Sequence, residues 1–332
     1  MIRWGILSTA RIAERIVHGA RLAEDAQLVA VGSRDEARAR AYAQEHDIAR
    51  AHGSYEALLS DPEVDAVYIP LPNSMHVEWS IRALEAGKHV LSEKPLTRDP
   101  AQVEAAFDAA ERAGRLLMEA FMWRFHPQTD ELVRLAGTVG ELRTVRSAFG
   151  FNLPVPAAEN VRWQAGLEGG ALMDVGCYCV SALRLLCGEP ERVYGEQVVG
   201  GERSDDERAA RGRGVDARFA GVMRFEGDVL GTFDCGMDVH RRQSIEVVGS
   251  EGTIFVPSPW QAPEPLIVVT RDGEPEELRP PAVDPYAREL EEFGRAIAGG
   301  PPPRLGRADA RGQARAIDAL YRAAGEGRSV SL

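Results

Sequence analysis

The sequence predicts two domains, an α/β domain with a parallel sheet followed by an α+β domain with an open, mainly antiparallel sheet. In the first 120 residues, short apolar runs alternate with amphipathic segments at helical spacing, which is typical of parallel strands joined by right-handed helical crossovers. After residue 122, apolar and polar residues alternate with a period of two, as they do in half-buried antiparallel strands. At 332 residues, the chain is long enough to bury two cores.

The first domain is predicted to span residues 1–121. Its apolar runs predict strands at residues 2–7, 28–31, 64–69, 89–91 and 115–118. The segments between and after these strands predict helices at residues 9–22, 35–45, 55–59, 74–86 and 100–113. Gly87 directly follows the fourth of these helices, where glycine commonly ends a helix.

The second domain is predicted to span residues 122–332. Alternating runs predict strands at residues 142–151, 219–225, 229–235, 244–248, 252–256 and 266–270. Turn residues such as Glu226-Gly227-Asp228 separate these strands. Helices are predicted at residues 170–186, 285–298 and 308–324, and the polar segment 200–218 is predicted to be a mobile loop.

The composition excludes several classes of partner. Acidic residues outnumber basic ones by 51 to 39, and the net charge of -12 argues against nucleic acid or an anionic membrane surface as the main partner. We expect no apolar run long enough to span a bilayer, and no signal peptide before the first strand, so we predict a cytoplasmic protein.

Cysteine spacing predicts no metal site. Cys177 and Cys179 have one residue between them, which fits neither a structural zinc site nor a redox pair. We expect these thiols, with Cys187 and Cys235, to be reduced.

The end of the first strand carries a dinucleotide-binding pattern with one departure. The pattern requires Gly, then Gly two residues later, then Gly or Ala three residues further on. Gly5 and Ala10 fit, but Leu7 replaces the second glycine, so we expect the turn to differ locally. Hydroxyl groups and free amides at the start of the next helix suit a pyrophosphate. We predict a Rossmann domain in which the cofactor contacts Gly5, Leu7, Ser8, Thr9, Ala10 and Arg11.

The second strand predicts the choice of nucleotide. A chain that binds NAD usually places Asp or Glu here for the ribose 2′-hydroxyl. This chain instead has Ser33 and Arg34, with Arg38 one helical turn later. Guanidinium groups bind phosphate through paired donors, so we predict NADP, with NAD less favoured. The alternative is that both arginines are solvated residues at a helix start.

Two further strand ends are expected at the same edge of the sheet. After the third strand, Pro70, Leu71, Pro72 and Asn73 form a rigid loop that leads to His76. We predict that this loop packs against the cofactor, although His76 alone is more typical of local capping or packing. After the fourth strand come Glu93-Lys94-Pro95. An ammonium there can polarise a carbonyl or favour the charged form of a neighbouring acid, so Lys94 is a candidate catalytic residue.

Together with residues 118–127 and 169–178, these segments resemble the Gfo/Idh/MocA oxidoreductase family over essentially the whole chain. The resemblance implies a Rossmann domain and a second domain whose open sheet commonly mediates dimerisation, hence a homodimer or homotetramer. Many family members carry Asp and His four residues apart after a Gly-Gly pair. Here the pair is Asp174 and Tyr178, as in the branch of glucose–fructose oxidoreductase, dihydrodiol dehydrogenase and NADP-dependent xylose dehydrogenase. That branch also tolerates loss of the second glycine.

The resemblance also implies roles for individual residues. Tyr178 is the predicted proton donor or acceptor, and Lys94 is expected to favour its phenolate, because the unperturbed pKa of tyrosine is about 10. Residues four apart on a helix face the same way, so Asp174 is expected to orient Lys94 or to bind the substrate. Glu93 is expected to contact the nicotinamide ribose. Further cofactor contacts are predicted from position rather than from the resemblance. Arg124 lies at the domain junction and is expected to reach the cofactor. Arg162 and Trp163 precede the Gly-Gly turn and are expected to close over the nicotinamide, and the alternative for this pair is a simple surface loop.

We therefore predict an NADP-dependent oxidoreductase that transfers hydride between the nicotinamide and a hydroxyl or carbonyl carbon of a sugar or related polyol. One alternative keeps the chemistry with another substrate, such as a trans-dihydrodiol, a keto-sugar nucleotide or an anhydro-sugar. Another alternative is a regulator that binds NADP or a sugar without catalysis. Lys94 and Tyr178 argue against the regulator, because a sensor needs no proton relay.

Overall fold

The computed structural model describes residues 1–153, 160–200 and 214–332. The helices are α1 (Ala13–Leu22), α2 (Glu36–His46), α3 (Tyr55–Leu59), α4 (His76–Glu85), α5 (Pro100–Ala113), α6 (Pro127–Ala136), α7 (Cys177–Cys187), α8 (Pro285–Ile297) and α9 (Arg307–Glu326). The strands are β1 (Ile2–Leu7), β2 (Ala26–Gly32), β3 (Arg50–His52), β4 (Ala66–Ile69), β5 (His89–Ser92), β6 (Leu117–Glu119), β7 (Leu142–Asn152), β8 (Arg192–Val199), β9 (Asp216–Arg224), β10 (Leu230–Gly236), β11 (Asp238–Gly249), β12 (Thr253–Val256), β13 (Ile267–Arg271), β14 (Glu274–Leu278) and β15 (Val330–Ser331).

The chain divides into two compact units. Unit 1 contains Met1–Phe125 and Val283–Arg311, and unit 2 contains His126–Ala282 and Gly312–Leu332. The return of residues 283–311 to unit 1 carries no signal in the sequence pattern, because it depends on tertiary contacts. The domain boundary after residue 121 stays a prediction.

Unit 1 is built on a six-stranded sheet with the order β3-β2-β1-β4-β5-β6. All its strands pair in parallel. The five predicted strands are present, and β3 is additional because its three residues are too few and too polar to form an apolar run. The strand order reverses beside β1, and the carboxyl end of such a sheet at that point is where ligands bind in open α/β folds.

The helices of unit 1 begin and end where the sequence supplies caps. Asp35 caps α2 by accepting from the N–H groups of Ala37 and Arg38, and Asp99 caps α5. Gly114 ends α5 in the left-handed conformation that glycine adopts without strain. Helix α1 begins at Ala13 rather than at the predicted residue 9, and this later start leaves residues 9–12 in the turn after β1.

Unit 2 is built on a nine-stranded sheet with the order β14-β13-β12-β11-β7-β10-β9-β8-β15. Its pairs are antiparallel except for β7 and β10, which run parallel with Thr144 opposite Leu230. The prediction of a mainly antiparallel sheet is confirmed, and so is the α/β Rossmann fold of the first half. Strands β8, β14 and β15 and helix α6 are additional to the predicted elements.

The predicted helix 170–186 has two parts. Leu172–Gly176 forms a π-helical turn, and α7 follows directly. A Cβ at Gly176 would lie 2.7 Å from the Sγ atom of Cys235, so this glycine lets the turn approach β10 closely. π-helical turns are rare and occur often at functional sites.

Two expectations need correction. One segment, Ala165–Cys187, is long and apolar enough to cross a membrane by length and composition, although no such run was expected. Most of it is buried inside the protein, as core helices of this composition are. In the predicted loop 200–218, residues 201–213 lie outside the described part of the chain, and residues 216–218 begin β9 instead.

Candidate functional site

The turn after β1 has the features of a pyrophosphate-binding turn. Gly5 is packed so closely that an added Cβ would lie 3.0 Å from a Cδ atom of Leu58. The Leu7 side chain is fully buried, so only its backbone can face a ligand. Ser8 has a φ of 147°, which L residues rarely adopt, and this is the local difference expected from the missing glycine. No side chain in the described chain caps α1 at Ile12. The N–H groups of Ala13, Glu14 and Arg15 already donate to the carbonyls of residues 10–12, so the backbone of the preceding turn, residues 9–12, is the part that can face an anion.

The residues after β2 lie beside this turn. The Nη2 atom of Arg38 donates to the Oγ1 atom of Thr9 at 3.4 Å, which joins the start of α2 to the β1 turn. Ser33 is buried, and its hydroxyl oxygen accepts from the N–H of Asp35 while its own hydrogen can still donate. Arg34 is exposed. One hydroxyl and two guanidinium groups near the first turn fit the 2′-phosphate of NADP.

His76 connects two of the predicted cofactor loops. Its Nδ1 atom lies 2.8 Å from the carbonyl oxygen of Pro95, and its Nε2 atom lies 2.7 Å from the carbonyl oxygen of Leu71. The ring is 1 % exposed, and burial lowers its pKa to about 4. The hydrogen bonds to the two carbonyls act in the opposite direction and raise the pKa, and the imidazole joins the loops that carry Leu71 and Lys94. Its contact with the cofactor stays a prediction, as do those of Pro70, Pro72 and Asn73.

Glu93 is held at the end of β5 from two sides. The hydroxyl of Tyr68 donates to its Oε1 atom at 2.5 Å, and the backbone N–H of Lys94 donates to its Oε2 atom at 3.2 Å. Burial, followed by the charge of Glu93, raises the pKa of Tyr68 well above its usual value, so Tyr68 keeps its proton. The sequence analysis missed Tyr68 and also Glu289 of α8, a fully buried acid. Burial and the Glu93 charge raise the pKa of Glu289 well above its usual value.

Arg124 has partners within unit 1. Its Nη1 atom lies 3.6 Å from the Oδ1 atom of Asp309, and its backbone carbonyl accepts from Arg304 at 2.6 Å. The side chain is almost fully buried. A contact between Arg124 and the cofactor stays a prediction.

In unit 2 the structure pairs two predicted site residues. The Nε atom of Arg162 donates to the Oδ2 atom of Asp174 at 2.8 Å. The backbone supports this pair, because the N–H of Gly170 donates to the carbonyl of Arg162 and the N–H of Asp174 donates to the carbonyl of Gly170, both at 2.9 Å. Asp174 was expected to orient Lys94 or bind substrate, and an ion pair with Arg162 was not foreseen. Trp163, beside this pair, is buried.

Tyr178 lies on α7 in an aromatic cluster. Its ring packs edge-on against Phe149 of β7, with centroids 5.4 Å apart, and against Trp260 at 5.5 Å. Phe149 and Trp260 stack on each other at 5.5 Å. Tyr178 is 8 % exposed, so its ring orientation is fixed by packing.

Asp216, the first residue of β9, is a buried acid that the sequence analysis missed. It lies at the end of the polar segment predicted to be a loop, so its burial had no signal in the pattern. Its Oδ2 atom accepts from the N–H of Leu172 at 2.7 Å, and its Oδ1 atom accepts from the hydroxyl of Tyr321 at 2.8 Å. Burial raises the pKa of Asp216 to about 6, partly offset by these hydrogen bonds.

The sheet of unit 2 carries a shallow cavity of about 550 Å³ on strands β7 to β12. Charged residues such as Arg146 and Arg242 line it together with Val222 and Phe255. These two apolar side chains are 43 % and 44 % exposed. Among the described residues, no group of three His, Cys, Asp or Glu side chains is placed to hold a metal ion.

Comparison with known proteins gives matches over most of the chain. Residues 2–121 match the oxidoreductase family with an NAD-binding Rossmann fold, and residues 128–255 match the GFO/IDH/MocA C-terminal domain. The D-xylose 1-dehydrogenase (NADP(+)) 2 of Haloferax volcanii is 41 % identical over 99 % of this chain and 99 % of its own.

Solved structures show the same architecture. The aldose-aldose oxidoreductase of Caulobacter crescentus, complexed with glycerol, has a TM-score of 0.91 at 29 % identity and covers 100 % of this chain and 99 % of its own. The 3-ketoreductase KijD10 of Actinomadura kijaniata, in complex with NADP and TDP-benzene, has a TM-score of 0.88 at 32 % identity over 97 % of both chains.

Proposed function

This chain belongs to the Gfo/Idh/MocA oxidoreductase family, and from that premise we propose that it is an NADP-dependent dehydrogenase of a sugar or related polyol. The proposed substrate class rests on the full-length similarity to a D-xylose dehydrogenase. The chain also has Asp174 and Tyr178 in place of the Asp and His pair of other family members. The substrate is a small sugar-like molecule in this proposal.

NADP is the cofactor. The backbone of the turn after β1, residues 9–12, would hold its pyrophosphate, and Ser33, Arg34 and Arg38 would hold its 2′-phosphate. When bound, the nicotinamide accepts hydride from a carbinol carbon or returns it to a carbonyl carbon. The hydrogen bond between Arg38 and Thr9 supports this assignment, because it brings the two phosphate-binding segments together.

In the proposed reaction Tyr178 takes the hydroxyl proton during oxidation and returns it during reduction. The ammonium of Lys94 favours the phenolate form of Tyr178, which a tyrosine needs to act as a base near neutral pH. Asp174, held by Arg162, binds the substrate hydroxyl or orients Lys94. Lys94 belongs to unit 1 and Tyr178 to unit 2, so the proposal that they act together is tested by the kinetics of variants in each unit.

Lysine usage supports a specific role for Lys94. Of the 39 basic residues, 37 are arginine and only Lys88 and Lys94 are lysine. Lys88 has a structural task, because its buried Nζ atom donates to the carbonyls of Asp61 and Val64 at 2.7 and 2.8 Å. At position 94, lysine provides a compact ammonium that can lose its proton, whereas arginine stays charged.

The test is turnover of NADP(H) against a panel of aldoses, keto-sugars and trans-dihydrodiols. With the best substrate, we expect Tyr178→Phe and Lys94→Ala each to lower kcat by about 100-fold or more, the usual range for loss of a proton-transfer group. Tyr194→Phe, which removes an exposed phenol elsewhere in unit 2, is the matched control and should keep wild-type kcat. If both site variants keep kcat within a few-fold of wild type, the mechanism is wrong. Tight NADP binding without any turnover would instead favour a sensor.

We also propose that the protein is a homodimer or homotetramer formed through the unit 2 sheet, and that it is cytoplasmic. The exposed Val222 and Phe255 side chains support the first proposal, since clustered apolar surface commonly marks an interface. The buried thiols of Cys179 and Cys235, which form no disulfide in the structure, support the second, because free thiols are typical of a reducing compartment. Sedimentation of wild type and Phe255→Asp tests the assembly, and a wild-type monomer would refute it.

A further inference from the structure

Asp216 joins three segments of unit 2. It begins β9, accepts a hydrogen bond from the backbone of Leu172 where the π-helical turn starts, and accepts another from Tyr321 of α9. Its side chain is almost fully buried, with 2 % exposure for the residue. A buried carboxylate with two good hydrogen bonds is costly to build, so its presence at the start of this helix calls for a physical explanation.

The turn before the helix is fitted around Asp216. Gly170 has a φ of +122°, and a Cβ at this position would overlap the Oδ1 atom of Asp216 and lie 3.1 Å from the hydroxyl of Tyr321. A Cβ at Gly169 would overlap the carbonyl oxygen of Arg162. The Gly-Gly pair therefore lets the helix start pack directly on Asp216 on one side and on the Arg162 segment on the other.

The same backbone carries the candidate catalytic residues. The N–H of Asp174 donates to the carbonyl of Gly170, so a shift of the turn displaces Asp174 directly. Tyr178 follows four residues later, at the start of α7. An error of about 1 Å in the placement of a reacting group can cost about 100-fold in rate.

We propose that Asp216 is a positioning residue that holds the π-helical turn, through its hydrogen bonds to Leu172 and Tyr321, in the geometry that aims Asp174 and Tyr178 at the substrate. This inference rests on the proposed function of those two residues. Asp216 touches neither substrate nor cofactor in this proposal, and it acts through the backbone of the helix.

In this proposal the hydrogen bonds of Asp216, rather than its charge, position the π-helical turn. An asparagine at position 216 keeps an oxygen acceptor for the Leu172 N–H, and its amide can donate to the Tyr321 hydroxyl, which then accepts. A leucine of similar size offers neither interaction. Two titratable groups that the described structure places against Asp216 are the Tyr321 phenol from α9 and the buried Cys235 thiol of β10. Neither group is a cation, so neither forms an ion pair with the Asp216 carboxylate.

The experiment compares Asp216→Asn, Asp216→Leu and Tyr321→Phe with wild type, in the full-length protein. Asp318→Asn, an exposed carboxylate of α9 paired with Arg322, is the matched control. For each protein, kcat and KM are measured with the best sugar substrate from pH 5 to 9, and NADPH affinity is measured by fluorescence. Melting temperature shows whether each variant folds.

We expect Asp216→Leu to lower kcat at least 30-fold while the Kd for NADPH stays within about 2-fold. Asp216→Asn should keep kcat within about 3-fold of wild type, and Tyr321→Phe should lower it by 3- to 10-fold. If Asp216→Leu does not fold, the Asn and Tyr321→Phe variants still decide the question, because Tyr321→Phe removes one of the two hydrogen bonds alone.

Three outcomes would overturn the proposal. The first is that Asp216→Leu keeps kcat within 3-fold of wild type. The second is that Asp216→Asn loses as much kcat as a folded Asp216→Leu. The third is that kcat and NADPH affinity fall together in the Asp216 variants. Where the Leu variant is unfolded, wild-type kcat in Tyr321→Phe overturns it. Tyr178→Phe is assayed alongside. Full activity of Tyr178→Phe would refute the proposed function itself, whereas an inactive Tyr178→Phe with a fully active Leu variant refutes only the positioning role.

Discussion

Removal of the buried charge at Asp216 should change how stability depends on pH. Burial raises the pKa of Asp216 to about 6, from an ordinary value of 3.8. Each pKa unit corresponds to about 1.4 kcal/mol, so the ionised carboxylate costs the fold about 3 kcal/mol above pH 6. The folded state binds the proton more tightly than the unfolded state. Stability therefore rises as the pH falls through 6, and the gain is complete below 3.8.

Between pH 7 and pH 5, this group alone should add about 1.4 kcal/mol to the free energy of unfolding of wild type, since pH 5 is about one unit below its pKa. Asp216→Asn lacks the titrating group, and its stability should lack this increment. For a chain of this size, the increment corresponds to a difference of about 2 °C in Tm. At pH 7 the Asn variant should be the more stable protein.

The assay is denaturant and thermal unfolding of both proteins at pH 7 and pH 5, followed by circular dichroism. Other carboxylates titrate in the same range, so the informative quantity is the difference between the two proteins. Asp318→Asn, which removes an exposed carboxylate, should follow wild type. Equal pH responses of wild type and Asp216→Asn would show that the carboxylate titrates normally and would refute the reasoning.

Three further predictions concern other parts of the site. His76→Phe leaves the carbonyls of Leu71 and Pro95 without their imidazole partner, at about 1–3 kcal/mol per buried group, so the KM for NADP should rise about 10-fold or more. His76→Gln, which keeps amide donors, should be less affected, and equal KM values in both variants would show that hydrogen bonds from position 76 do not hold these two loops for NADP. Arg38→Ala should lower kcat/KM for NADP by at least 10-fold with little change for NAD, and an equal loss with both nucleotides would argue against binding of the 2′-phosphate. Gly170→Ala combines a positive φ with overlap at Asp216, so we expect a loss of about 3 kcal/mol in denaturant unfolding, whereas Gly166→Ala, in open space, should cost little.

The strands that show apolar runs along the chain could be predicted from the sequence, whereas elements that depend on distant contacts could not. Apolar runs with flanking turn residues correctly predicted five of the six strands of the unit 1 sheet, and they predicted that Glu93 and Lys94 follow one of these strands. Strand β3 was missed because its three residues, two of them polar, are too few to show a periodicity, and its pairing with β2 is what makes it a strand. The π-helical turn was also missed, because it depends on how closely Gly176 approaches Cys235, far away in the sequence.

The candidate site shows the same difference between features that are visible along the chain and features that depend on distant contacts. The resemblance singled out Asp174 and Tyr178, and motif spacing singled out the β1 turn, because these features are readable along the chain; their roles stay predictions. Asp216 could not be predicted, because its burial and its proposed positioning role depend on partners 44 residues earlier and 105 residues later. The ion pair between Arg162 and Asp174 was missed for a related reason, although both residues were singled out, because the Gly-Gly turn that brings them together becomes visible only in three dimensions.

The burial of Lys88 has a practical consequence for chemical labelling. Its Nζ atom is buried and engaged by two carbonyl oxygens, and burial lowers its pKa. In a chain with two lysines, an amine-directed reagent under native conditions should therefore modify Lys94 and the amino terminus. Acylation or reductive methylation would place an isotope or a fluorophore on Lys94 as well as on the amino terminus, without any engineered residue. The modification rate with and without NADP would then report directly on access to that amine.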